Sequence, residues 1–445
     1  MFVPTNRDCS SSIPDRFQEL AWASEQKNLN VTFCLIEHAV SAKISGHHRE
    51  ILQNYADRGV SIIHLTEPIQ RTMVKTLLSN ERLSAFDRGR LSELLLPTGV
   101  SYGRGPNLAS LLAAGLNCSS IHRRDSDVYI DPLRPNSWPL ELELGAIAVE
   151  PSEINTLVVR NLDDPTIERG ATTKVVGTGT FGAATIDRRD LFSAGLEFAV
   201  AFQQLGRPGV PVEDVTSEAI GYLIEEPKIR YDEDFYEIDI DARVEMEACC
   251  LSELQNFLPE MPTDVLGCDY MVKDLAWRIG QPILFHSRKM EHRYDPSREL
   301  YVDVQAAVDY AVRDLQYIQM GRIWRQQGTR MQEDLSQFWD DSQLNADAYA
   351  ASFREFANSS TAELVRVRTG AQKVYQDASR AVEGSIASRL AATAETIASL
   401  GSQIDQHVVS AVDDFAYLVE AWRGLAASAD TLEEAVRTSF VYQAS

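Results

Sequence analysis

The sequence predicts an α/β fold with a mixed, mainly parallel sheet, followed by an all-α C-terminal helical region. Up to about residue 300, short apolar runs alternate with helical patterns that glycine and proline separate. Beyond that point glycine and proline become scarce, and the pattern is almost continuously helical. Strand–helix alternation is typical of parallel sheets with crossover helices. We therefore expect an N-terminal extension over residues 1–29, an α/β domain over 30–300 and a helical domain over 301–445.

Individual elements follow from local patterns. Short runs rich in β-formers at residues 31–36, 60–65 and 119–123 predict strands. The 102–107 loop opens a predicted helix that Gly115 ends. In the last third of the chain, amphipathic or alanine-rich stretches predict helices over 304–324, 364–383, 387–400 and 404–425.

Composition restricts the partners and the compartment. The formal net charge of -23 disfavours nucleic acid as a partner, because phosphate contacts need clustered Lys and Arg. None of the six cysteines forms a Cys-x-x-Cys pair, so no zinc ribbon or redox motif is indicated. The first residues lack a signal-peptide pattern, and no run reaches the roughly 20 apolar residues of a membrane span. We expect a cytoplasmic protein without membrane insertion.

Two carboxylates form the motif with the clearest chemistry. An apolar run ends at Asp125 and Asp127, which Ser126 separates. Ligands of α/β sheets bind at the carboxyl ends of the strands, where such a pair can hold Mn²⁺ or Mg²⁺ through oxygen. The cation can then neutralise a departing diphosphate. Alone, the pair could equally be a solvated turn, because such triplets are common in acidic chains.

The segment around this motif resembles the GT-A glycosyltransferases. In that pattern an Arg/Asn-containing loop starts a helix, the helix ends in Ala-x-Gly, and the next strand delivers Asp-x-Asp; residues 102–128 follow the same order. Residues 177–195 resemble the family's small-residue acceptor loop with its following helix start. Residues 267–280 resemble its Gly-Glu-Asp helix, and residues 290–294 its terminal histidine motif. The resemblance covers roughly residues 30–295.

The resemblance implies a catalytic domain over 30–300 and a set of roles. Asp269 would be the general base that deprotonates the acceptor. The implied donor-binding residues are Arg104, Asn107, Arg124, Asp125 and Asp127, and the implied acceptor loop contains Gly177, Thr178 and Gly179. The implied metal ligands are Asp125, Asp127 and His292, with His286 as a competitor for the third position.

Two departures leave parts of the prediction open. Cys268 stands where the family usually has Glu before the catalytic Asp, and Thr66 and Glu67 follow Leu65 where the family has Asp-Asp-Gly-Ser. Recognition of the nucleotide base therefore cannot be transferred. If Asp269 is the base the reaction inverts the anomeric centre, whereas a merely orienting Asp269 leaves retention open.

The resemblance thus implies a metal-dependent glycosyltransferase. It would move a sugar from a nucleoside diphosphate donor to a hydroxyl or amine of a small soluble acceptor. A nucleotidyltransferase and a non-catalytic nucleotide-sugar-binding or interaction protein are the alternatives. The C-terminal helices would form a bundle or cap, a homodimer interface or an acceptor-side lid.

Overall fold

The computed structural model describes residues 1–56, 59–134, 137–154, 159–160, 168, 170–182, 186–221, 231, 233–239, 243–293, 303–340 and 343–432. The strands are β1 (Phe2–Thr5), β2 (Thr32–Glu37), β3 (Ser61–Leu65), β4 (Ile121–Arg124), β5 (Val128–Tyr129), β6 (Val159–Arg160), β7 (Val175–Gly177), β8 (Thr180–Gly182), β9 (Tyr236–Ile238), β10 (Ala248–Leu251), β11 (Ile283–His286), β12 (Met290–His292), β13 (Trp339–Asp340) and β14 (Gln343–Leu344).

The helices of the α/β part are α1 (Ile13–Lys27), α2 (Ala42–Gln53), α3 (Glu67–Leu78), α4 (Arg88–Leu95), α5 (Arg104–Gly115), α6 (Pro139–Ala146), α7 (Arg189–Ala194), α8 (Leu196–Gly206), α9 (Val212–Gly221) and α10 (Met271–Arg278). Those of the C-terminal region are α11 (Val304–Glu333), α12 (Leu335–Phe338), α13 (Ala346–Ser359), α14 (Thr361–Ala381), α15 (Gly384–Leu400) and α16 (Ser402–Ser428). Within the described residues, no helix combines the length and apolar character needed to cross a membrane.

The large sheet has the order β3-β2-β1-β4-β10-β7-β11-β9-β6. Strands β1 to β4, β7 and β11 run in one direction, and β10, β9 and β6 run in the other. The prediction of a mixed, mainly parallel sheet is therefore confirmed. Strands β5, β12 and β8 form a small separate sheet in the order β5-β12-β8, which contributes to the site described below.

The N-terminal segment differs from the prediction. We expected residues 1–29 to precede the α/β domain as an extension, but Phe2–Thr5 pairs with both β2 and β4 inside the sheet. The run is too short to show a strand period, and Pro4 within it weakens the strand signal. The predicted boundary between residues 300 and 301 falls on residues outside those described.

Alternation along the strands covers both faces of the sheet. On β2, Phe33 and Leu35 pack with α1 in one core, while Cys34 and Ile36 lie in a second core that includes α5 and α16. Successive side chains of a strand point to opposite faces, so a continuously apolar strand needs helices on both sides. The apolar runs that predicted these strands therefore also predict a helix layer on each face.

The C-terminal helical region is present, with helices over the four stretches that the sequence predicts. Helix α16 contributes Val412, Phe415 and Trp422 to the core shared with the sheet. Helices α14 and α15 pack in a separate core with α7, α8 and α11. These contacts within one chain account for the apolar faces of the helices, and the homodimer stays a prediction.

We expect Trp422→Ala to lower the free energy of unfolding by about 3–5 kcal/mol, since it opens a large cavity in the shared core. Trp422 is fully buried, and its indole N–H donates to the Gln255 carbonyl at 2.9 Å. Urea unfolding measures the change. Trp277→Ala is the matched control, because the Trp277 side chain is 44% exposed. Equal losses in both variants would contradict this account of the core.

Candidate functional site

The site begins where strand order reverses. The chain passes from β1 to β2 and β3 on one side and then returns to β4 on the other side of β1. Ligand crevices of open α/β sheets form at the carboxyl ends of such a strand pair. Arg7 follows β1, and Asp125 and Asp127 follow β4. Arg7 Nη1 lies 3.0 Å from Asp127 Oδ2, so an ion pair spans this point.

Arg123 joins two of the predicted site residues. Its Nε and Nη2 donate to the two carboxylate oxygens of Asp125 at 2.7 and 3.2 Å, and Nη2 lies 2.6 Å from Asp269 Oδ2. Burial lowers the pKa of the Arg123 guanidinium, but the charges of Asp125 and Asp269 more than offset this and hold the pKa above its usual value. A buried cation with two anionic partners fixes the positions of all three groups.

The small sheet brings His292 to the same place. Its strand β12 pairs with β5, which starts directly after Asp127, and the register puts His292 opposite Val128. The Arg293 N–H donates to the Asp127 carbonyl at 2.9 Å. As a result, His292 Nε2 lies 3.6 Å from Asp127 Oδ2. His292 is buried beside the carboxylate that the sequence analysis paired with it.

Acidic residues that the sequence analysis did not identify lie before β10. Because β10 runs antiparallel to β4, its amino end meets the carboxyl end of β4, and the Asp125 N–H donates to the Glu247 carbonyl at 3.0 Å. Burial and the negative charges of Glu245, Asp125 and Asp127 together raise the pKa of Glu247 to about 8, against the opposing effect of His292. Only the pairing of β10 with β4 reveals this residue, because Glu247 and Asp125 are far apart in the sequence.

The predicted acceptor loop lies next to the acidic segment. A Cβ at Gly177 would come within 2.8 Å of the Ala248 carbonyl oxygen, so this glycine permits close approach of the chain's own backbone. Buried Thr178 donates from its hydroxyl to the His286 carbonyl at 3.0 Å. At Gly179 the nearest atom to an added Cβ would be 3.4 Å away. Gly177 and Thr178 are thus framework residues of this edge.

Arg124 needs a correction. It was predicted to bind the donor, but it is fully buried on the opposite face of β4, 2.8 Å from Glu143 and 3.3 Å from Glu19. The reason is strand alternation, which sends Arg123 to one face and Arg124 to the other. His286 also lies on the Glu143 side, at 3.9 Å, so the structure brings His292 and not His286 to Asp127.

Arg104 and Asn107 are engaged elsewhere. The Arg104 guanidinium donates to Gln70 Oε1 and to the Pro97 carbonyl, at the β2–β3 side of the sheet. The Asn107 amide donates to and accepts from the backbone of Glu260 at 2.8 and 2.7 Å. Glu260 in turn accepts the first amides of α10, which follows Asp269. Asn107 therefore supports the segment of the predicted base.

A second group of residues has potential ligand atoms that are close enough together for a metal ion. Among the described residues, the potential ligand atoms of Glu37, His48 and His64 all lie within 4.8 Å of one another, whereas Asp125, Asp127 and His292 do not meet that spacing. Glu37 accepts from His48 Nδ1 at 2.7 Å, and His48 Nε2 accepts the Cys9 N–H at 3.1 Å. Both imidazole nitrogens of His48 are thus used, and these bonds tie β2 and α2 to the loop after β1.

The glycine at the end of β8 makes the small sheet possible. Gly182 has φ of 105°, and a Cβ there would lie 2.5 Å from the His292 carbonyl oxygen. We expect Gly182→Ala to lower the free energy of unfolding by roughly 1–3 kcal/mol, because it adds backbone strain and a collision. Thermal and urea unfolding measure this. Gly179→Ala, with no contact closer than 3.4 Å, is the control, and similar losses in both would be the contrary result.

Comparison with known proteins gives a family. No curated protein matches the chain. A mannosyltransferase from Pyrobaculum calidifontis, PcManGT, solved in complex with GDP-Man and Mn²⁺, aligns over 92% of this chain and 84% of that chain, with 12% identity and a TM-score of 0.34. A TM-score of this size does not establish a shared fold. The model of DUF6271, described as a family of unknown function, matches residues 1–438, so the chain belongs to the DUF6271 family.

Proposed function

We propose that this protein is a metal-dependent glycosyltransferase of the GT-A type. It transfers a sugar from a nucleoside diphosphate donor to a hydroxyl or amine of a small acceptor. One observation carries the proposal: three separate segments of the chain converge at the switch point of the sheet. They supply the Asp-Ser-Asp motif with Asp125 and Asp127, the helix start with Asp269, and the short strand with His292.

The donor atoms suit a hard divalent cation. Carboxylate oxygens are ligands of both Mn²⁺ and Mg²⁺, and Mn²⁺ also accepts an imidazole. The neighbouring Asp127 and His292 offer one atom of each kind, 3.6 Å apart, and Asp125 offers further oxygens at the same edge. A cation held by these residues would supply positive charge to a departing diphosphate. The Glu37 group is the poorer candidate, because the His48 imidazole already donates to Glu37 and accepts the Cys9 N–H.

The chain's own residues supply the remaining functions. Arg7, which follows β1, is positioned to pair with diphosphate oxygens at the crevice, as guanidinium groups do. Asp269 accepts the proton of the acceptor hydroxyl as its oxygen attacks the anomeric carbon, which implies inversion. Arg123 holds Asp269 and Asp125 at a fixed separation, so the base and the donor site keep their geometry.

The helical region supports the acceptor side. Arg188 and Asp190, at the start of α7, follow the predicted acceptor loop. Arg188 makes a bidentate ion pair with Asp314 of α11 at 2.7 Å for both bonds, and Arg389 of α15 does the same with Asp190. These buried or half-buried pairs favour a role for the C-terminal helices in holding that loop.

We expect a donor screen to detect nucleoside diphosphate release by the wild type with Mn²⁺ or Mg²⁺. Asp269→Asn should lower turnover by about 10²–10⁴-fold, since it removes the base while leaving the metal ligands. Asp127→Ala should lose both turnover and metal-dependent donor binding. Asp264→Asn, in the same loop and paired with the half-exposed His407, is the control and should keep wild-type turnover.

Other outcomes identify the alternatives. Unchanged turnover in both Asp127→Ala and Asp269→Asn would reject this site. Binding of only a nucleoside triphosphate would indicate nucleotidyl transfer. Metal-dependent binding of an intact sugar nucleotide without diphosphate release would indicate a binding module.

A further inference from the structure

Glu247 faces the Asp-Ser-Asp motif across the sheet. The β4–β10 register pairs Arg124 with Ala248, and the Asp125 N–H bond to the Glu247 carbonyl extends it by one residue. Directly opposed residues of an antiparallel pair project to the same face, with Cβ atoms about 4.5–5.5 Å apart. Two carboxylates opposed in this way repel each other. The backbone therefore places a further acid at the edge of the sheet that carries the motif, where a nearby cation would be stabilising.

The neighbouring carboxylates already have partners. Asp125 is bound by Arg123, and Asp127 pairs with Arg7. By contrast, Glu247 is only 8% exposed, and its Oε1 has no hydrogen-bond partner among the described residues. A buried carboxylate oxygen without a donor is costly unless something compensates it. Glu247 thus differs from Asp125 and Asp127, because its Oε1 accepts no hydrogen bond from the described residues.

Two further acids near the site, unlike Glu247, have hydrogen-bond donors. Glu245, two residues earlier on the same segment, accepts the Tyr270 hydroxyl. Glu260 is buried as deeply as Glu247, but its oxygens accept the Met271 and Val272 amides at 2.8 and 3.3 Å. An acid that is buried near the motif can therefore still have hydrogen-bond donors. Of Glu245, Glu247 and Glu260, Glu247 is the one whose oxygen is available to bind another ligand.

We propose that Glu247 is a ligand of the divalent cation, together with Asp127 and His292. This inference deepens the proposed function and rests on its metal site. The three side chains give two carboxylates and one imidazole, a set of donors that suits Mn²⁺ and leaves positions for diphosphate oxygens. Their ligand atoms do not lie within 4.8 Å of one another, so coordination requires side-chain rotation. The Glu247 Oε1 rotates without breaking a hydrogen bond.

The test is Mn²⁺ binding without any donor, measured by calorimetry and by the electron paramagnetic resonance of free Mn²⁺. We expect Glu247→Gln to weaken Mn²⁺ affinity by at least about tenfold, because loss of a direct ligand costs no less than loss of an outer partner. Asp127→Ala should have a similar effect. Glu245→Gln removes one nearby negative charge and keeps an acceptor for Tyr270, so it should cost less than about threefold.

Thermal unfolding separates ligand loss from misfolding. Without metal, Glu247→Gln should unfold at the wild-type temperature or above it, because an unpaired buried acid is removed. Mn²⁺ should raise the unfolding temperature of the wild type but not that of Glu247→Gln, since only a bound ligand stabilises the folded state. A metal-free Glu247→Gln protein that unfolds well below the wild type would mark Glu247 as structural and overturn the inference.

The remaining outcomes separate this inference from the proposed function. If wild type binds no Mn²⁺, both fail. If wild type and Glu247→Gln bind equally, the inference fails while the glycosyltransferase proposal stands. If Glu245→Gln loses as much affinity, net charge and not ligation is responsible, and the inference again fails. Loss of Mn²⁺ affinity in Glu247→Gln, with no diphosphate release in the donor screen, would uphold the ligand and reject the transferase.

Discussion

The buried guanidinium of Arg123 is the interaction on which the site depends. It bonds to Asp125 at the end of β4 and to Asp269 before α10, two segments that are far apart in the chain. A buried charge is tolerated only when its partners are close and well oriented, so each of the three groups restricts the other two. The large sheet brings the segments near each other, and this ion pair fixes how their side chains face.

The same strand carries a second charge network on its other face. Arg124 and His122 both contact Glu143 of α6, and Arg124 also reaches Glu19 of α1. Because side chains alternate along β4, one short segment serves a structural network on one face and the candidate site on the other. The structural network anchors the helix layer over the sheet, and that leaves the opposite face free to present acids to a ligand.

The sequence predicted correctly the elements that have a strong local periodicity. The parallel strands, the helix after residue 102 and the C-terminal helices all have strong patterns, and the structure confirms them. It also brings together Asp125, Asp127, Asp269 and His292, although their roles stay predictions. Arg7 and Glu247 were missed because their positions depend on strand order, which a sequence does not specify. Arg124 was misassigned because two adjacent arginines look equivalent in the sequence, although their side chains point to opposite faces of β4.

Glu247 also explains why the site needs a fold of this kind. A parallel neighbour of β4 would deliver its own carboxyl end to the crevice, together with whatever loop follows it. The antiparallel β10 instead delivers a residue in register with Asp125, held by a backbone hydrogen bond. Paired strands hold the backbone more precisely than loops do. Glu247 directly precedes β10, so its backbone is held next to Asp125 while its side chain can still rotate toward a cation. The antiparallel direction of β10 therefore places Glu247 opposite Asp125 at the crevice, on backbone that the sheet holds in position.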